Sequence, residues 1–173
     1  MHALRGKIDL LHVAAHGICD PEHPLFSHLA LAPGETSDGN LEVHEILAGL
    51  DLSGVNLVVL SACQSAAGKR GGGDDVVGLT RAMLYAGSTG VVSTLWNIDD
   101  EASARLMETF YTRLRGGDSA AAALRAAQRA MLRIEAYADP RFWAAFAITG
   151  DPQGKWNDRS GPRPSAAPSR PRQ

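Results

Sequence analysis

Cys63 and His16 are the two residues whose types could do chemistry together. A free thiol is a weak nucleophile at neutral pH, because a pKa of about 8.5 leaves only a few per cent as thiolate. An imidazole held beside it can take the proton and later return it to a leaving amine. Gly17 follows the histidine, and without a Cβ its backbone N–H can come close to a substrate carbonyl. With the N–H of Cys63 it makes a candidate oxyanion hole. The competing reading is structural: Cys63 as a small buried hydrophobe and His16 as a hydrogen-bonded strand cap.

The elements that must position these groups are two apolar runs. Leu57–Cys63 (LVVLSAC) suits a strand buried on both faces of a parallel sheet, and Ile8–Ala15 (IDLLHVAA) is a second such strand ending in His16-Gly17. In open α/β sheets ligands bind beyond the carboxyl ends of the strands. If the two strands are parallel neighbours, thiol and imidazole project from one edge.

The remaining chain alternates in the same way. Prolines at 21, 24 and 33 break up the segment after Cys19, and Ser37-Asp38-Gly39-Asn40 is turn chemistry, so 28–43 reads as a small hairpin over the edge. Val43–Leu50 has helical spacing. Asp74 or Asp75 can cap a helix with Val76, Leu79, Ala82, Met83 and Ala86 inward, stopped by Gly87. Gly90–Leu95 reads as a third buried strand. Asp99 and Asp100 open a helix with Ala102, Leu106, Phe110 and Leu114 on one face. Asp118 or Ser119 caps an alanine-rich helix to about Ala138, and Phe142–Ile148 reads as the last strand. The fold class is therefore α/β, with a mainly parallel sheet flanked by helices, in one domain over 1–157. Residues 158–173, DRSGPRPSAAPSRPRQ, contain no large apolar side chain and are expected to be a disordered tail.

Composition narrows the function. With 173 residues, 45% hydrophobic, and a formal net charge of -2, the chain has one sizeable core and no basic surface for nucleic acid or anionic membrane. No apolar run approaches the roughly 20 residues of a membrane span. Two cysteines, Cys19 and Cys63, are too few for a disulfide framework, so a cytoplasmic chain with free thiols is expected.

Other constellations carry less. His12, His16, Cys19, His23 and His28 crowd one segment, but their spacings match no zinc pattern and His12 is expected inside a buried strand, so neither metal nor cofactor is expected. Gly71-Gly72-Gly73 lacks the Lys-Ser/Thr ending of a phosphate loop. Asp74, Asp75, Asp99 and Asp100 flank the proposed cleft and could pair with a basic P1 side chain, although each also stands at a helix start. Trp96, Trp143 and the Phe142–Phe146 cluster read as core.

HVAAHG, LVVLSACQSAAG, DDVVGLTRAMLYAGSTGVVSTLWNIDD and FWAAFAITGDP, in that order, resemble the C-terminal part of a CHAT-domain peptidase, a caspase-like cysteine peptidase related to separase. His16 precedes Cys63 by about the separation of base and nucleophile in caspases, whose local QAC signature is here SACQS. The resemblance implies that His16 is the general base, Cys63 the nucleophile, and Gly17 and Cys63 the oxyanion donors, in amide hydrolysis through a thioester. The partner is then a protein or peptide substrate. Two departures stand out. Asn97 replaces the first acid of the separase W-D-x-x-D pattern, and the strands that precede the histidine strand in the family are not seen. Ile8–Ala15 is then expected as an open apolar edge, completed by another chain or segment, or prone to association.

Overall fold

The computed structural model describes residues 8–35, 37–61 and 74–153; of residues 74–77 it describes the backbone alone. In chain order the elements are β1 (Leu10–Ala14), β2 (His16–Ile18), β3 (His28–Ala30), β4 (Asn40–Glu42), α1 (Val43–Gly49), β5 (Leu57–Ser61), α2 (Asp74–Tyr85), β6 (Gly90–Thr94), α3 (Asp100–Arg115), α4 (Ala120–Met131) and β7 (Phe146–Gly150). Short 3-10 turns lie at Pro24–Phe26, Glu135–Tyr137 and Pro140–Phe142.

The apolar runs at 57–61 and 90–94 make the two inner strands. The main sheet runs β1-β5-β6-β7, with β1 and β6 both parallel to β5. Alternation along the strands divides the core into two layers. Leu57, Val59 and Val92 face α3 and α4, meeting Leu106, Phe110 and Ala127. Val58, Leu60 and Val91 face α1 and α2, meeting Ile46, Leu79 and Met83. This is an α/β fold with a mixed, mostly parallel sheet flanked by four helices, the architecture expected of a caspase-like domain.

Helix ends follow the chemistry at their borders. Asp99 caps α3 by accepting from the Ala102 N–H at 3.0 Å, and Ser119 caps α4 by accepting from Ala122. Glu45 reaches back to the Glu42 N–H in a capping box on α1. Gly87, with φ +108°, follows α2 where a Cβ would meet the Ser53 nitrogen at 3.0 Å, so glycine is needed for conformation and space alike. The inward faces expected for α2 and α3 are observed: Leu79, Ala82, Met83 and Ala86, and Ala102, Leu106, Phe110 and Leu114, are buried. Val76 lies outside the described side chains.

Four expectations are corrected. The first strand is Leu10–Ala14, because the chain bends at Ala15 and His16–Ile18 joins a separate antiparallel sheet of order β2-β3-β4. The expected hairpin within 28–43 is present as β3 and β4, and β2 makes it three-stranded. β7 runs antiparallel to β6, since two helices in succession return the chain to the edge that it left. The alanine-rich helix ends at Met131 and the last strand starts at Phe146, not Phe142. Between them Asp139 accepts from the Arg141 N–H to start a 3-10 turn at Pro140, and Gln128 Nε2 donates to the carbonyls of Trp143 and Phe146. Those bonds hold the segment against α4 until β7 begins. The segment 158–173 lies outside the described residues.

Candidate active site

β5 is buried along Leu57–Leu60 and half-buried at Ser61, where the description of this strand stops. β1 lies beside it in register, from Leu10 opposite Leu57 to Ala14 opposite Ser61. The two strands therefore leave the sheet at one edge. Cys63 lies outside the described residues, as do Gly71, Gly72 and Gly73. His16 is placed: it opens β2, opposite Ala30, with its side chain exposed, and Gly17 behind it is buried opposite Leu29.

The loop after β2 has its own scaffold. Asp20 Oδ1 accepts from the backbone N–H groups of Glu22 and His23, at 3.0 and 2.9 Å, and these bonds, the His23 one foremost, hold its carboxyl below the usual range. The Asp20 N–H donates to Ser27 Oγ, and the Ser27 carbonyl accepts from Val43 at the start of α1. Leu29, fully buried, presses the small sheet onto the α1/α2 layer. His16 is thus carried by a sheet anchored through Leu29 on one side and continuous with β1 on the other.

The acidic residues divide. One Asp99 carboxylate oxygen caps α3, while Asp100 in its first turn is exposed. Asp74 and Asp75 open α2, and their side chains lie outside the description. Trp96 is 40% exposed, against the expectation of core, and donates from Nε1 to the Arg141 carbonyl at 3.2 Å. It follows β6 directly, where the exposed Leu95 adds to it. Trp143 packs partly buried on the α3/α4 layer and donates to Ala138.

His12 lies in β1, and its side chain is exposed instead of buried. Its Nδ1 meets Tyr111 Oη of α3 at 2.6 Å, with the rings 5.7 Å apart. Burial pushes the Tyr111 phenol up to about 12 and lowers the His12 imidazole. Sequence reading missed this contact, since nothing local signals a pair so distant along the chain. Among the described residues no three His, Cys, Asp or Glu side chains converge as metal ligands would.

The described helices include none long and apolar enough to cross a membrane. The family model "CHAT domain" matches residues 1–151. Over 96 residues the chain is 40% identical to tetratricopeptide repeat protein 28 of Mus musculus and 38% identical to that of Homo sapiens. Each match covers 56% of this chain and 4% of the relative.

Proposed function

The chain belongs to the CHAT-domain family, and on that footing we propose that it is a cysteine endopeptidase acting on protein substrates, with His16 as general base and Cys63 as nucleophile. The observation that supports this best is the parallel register of β1 on β5, which ends with Ala14 opposite Ser61. His16 and Cys63 each follow by two residues, and two residues span at most about 7 Å of chain. In this reading the short chain from Ser61 to Cys63 brings the thiol within reach of the edge at which His16 stands.

In this reading Cys63 passes its proton to His16 and the thiolate adds to the scissile carbonyl carbon. The N–H groups of Gly17 and Cys63 face the oxygen as it turns anionic. Collapse breaks the C–N bond, and the amine departs with the proton held by His16. Water, giving one proton to His16, then attacks the thioester; the C–S bond breaks, the thiolate takes that proton back from His16, and the product leaves as the carboxylic acid, which ionises in solvent. In the same reading a basic P1 side chain pairs with an acid at a helix start, among Asp74, Asp75, Asp99 and Asp100, and Asp100 is an exposed residue of that set. No cofactor enters the scheme.

The test is labelling by an electrophilic peptide probe. Cys63→Ala should abolish labelling and any cleavage, and His16→Ala should slow both by orders of magnitude. Equal behaviour of wild type and both variants would leave a non-catalytic interaction module. The open side of β1 among the described residues is the feature that favours that second reading. Its partner would be another chain or segment pairing along 8–15.

A further inference from the structure

We propose that the hydrogen bond between His12 and Tyr111 is a latch that positions His16, by fastening the outer strand β1 to α3. The inference rests on the reading of His16 as the base. β1 is paired on one side only among the described residues, and its side chains are half-buried or exposed. Leu11 and Val13 pack on the α1/α2 layer, and the carboxyl end of the strand leads through Ala15 into His16.

The hold on the α3 side comes from two residues. Leu10 packs at the margin of the α3/α4 layer, and His12, next on that face, meets Tyr111. Leu10 is at the far end of β1, whereas His12 stands two residues before its last residue, Ala14, and four before His16. Tyr111 is itself fixed, half-buried with its ring 5.3 Å from that of Phe110, whose side chain is fully buried. The latch thus links the middle of the strand to a residue packed on the fully buried Phe110.

The bond joins Tyr111 Oη to His12 Nδ1, which accepts from the phenol O–H in one tautomer of the neutral ring and donates to the phenol oxygen in the other. The latch contacts no reacting atom; it acts through the place of the strand that carries the base. A displacement of about 1 Å in a catalytic group can cost up to about a hundredfold in rate.

The test uses the full chain and iodoacetamide, reading the alkylation rate of Cys63 by mass spectrometry across a pH series, with thermal melting alongside. Tyr111→Phe and His12→Phe each remove one partner of the bond. Each should slow alkylation at neutral pH by about tenfold or more and move the midpoint of the pH profile toward that of His16→Ala. His12→Gln, whose amide can accept or donate, should restore the wild-type profile. The latch is overturned if Tyr111→Phe and His12→Phe keep the wild-type profile, even with a lower melting temperature, while His16→Ala moves it. A profile that His16→Ala leaves unmoved overturns the base assignment, and the latch with it.

Discussion

Tyr111 Oη stands 2.6 Å from His12 Nδ1, joining α3 to an outer strand 99 positions earlier in the chain. The pair also sets a pH window for stability. His12 has a folded-state pKa below its usual value of about 6.5, so its contribution is fully present above that value and is lost as pH falls through the folded pKa. Tyr111 is raised from 10.0 to about 12, so its contribution is fully present below 10.0 and is lost as pH rises toward about 12. We predict a plateau in melting temperature between these limits. Tyr111→Phe should lower the plateau by a few degrees, as expected for the loss of about 1 kcal/mol, and should remove the alkaline fall that Tyr111 causes. Melting curves from pH 5 to 11 check both, and an undiminished alkaline fall in Tyr111→Phe would contradict the assignment.

Leu29 is the anchor of the small sheet, fully buried against the α1/α2 layer. Leu29→Ala should cost about 2–5 kcal/mol through lost transfer energy and the cavity left behind. The loss should be local first, because β2, β3 and β4 have three residues each and little other burial. Hydrogen exchange should then show the β3 amides opening well before those of β5 and β6. Uniform loss across both sheets would mean that the small sheet is not a separate unit.

Much of this architecture was legible because the signals were local. LVVL at 57–60 and GVVST at 90–94 read as buried strands from their apolar runs, and Asp99, Ser119 and Gly87 mark helix borders by chemistry that needs no partner elsewhere. The errors fell where tertiary contacts decide. Nothing near Ala15 says that the chain bends there and hands His16 to a second sheet. FWAAFAI has the composition of a strand over its whole length, yet Gln128 on α4 holds the carbonyls of Trp143 and Phe146 and delays the strand. At the site, the shared edge of β1 and β5 followed from two parallel runs with polar ends. The His12–Tyr111 bond could not be foreseen, since the two residues meet only after the sheet and α3 have packed.

Asp99 and Asp100 are adjacent and separable by experiment. Asp99 accepts from the Ala102 N–H, so Asp99→Ala should cost about 0.5–2 kcal/mol of stability through the lost cap. Asp100 is exposed, and Asp100→Asn should leave melting nearly unchanged. If Asp100 receives a basic P1 side chain, the same variant should erase a preference for arginine over leucine at P1 in a peptide panel. A preference retained in Asp100→Asn would move the specificity elsewhere, and its absence in the wild type would end the basic-P1 reading.

The outer strands make a last prediction. β1, with the sequence LLHVA, has neither proline nor a carboxylate, lysine or arginine to discourage pairing, and among the described residues its outer row of N–H and C=O groups has no neighbouring strand. β7, FAITG, is similar, but it ends in Gly150, whose φ of +99° turns the chain out of extended conformation. β1 is therefore the more favourable template for an added strand. The isolated chain should associate with rising concentration, seen by light scattering as a growing mean mass. Ala14→Lys places a charge at an exposed position of that edge, clear of the core, and should reduce association without lowering the melting temperature. A monomer at every concentration would show the edge to be covered, and association unaffected by Ala14→Lys would put the contact on another face.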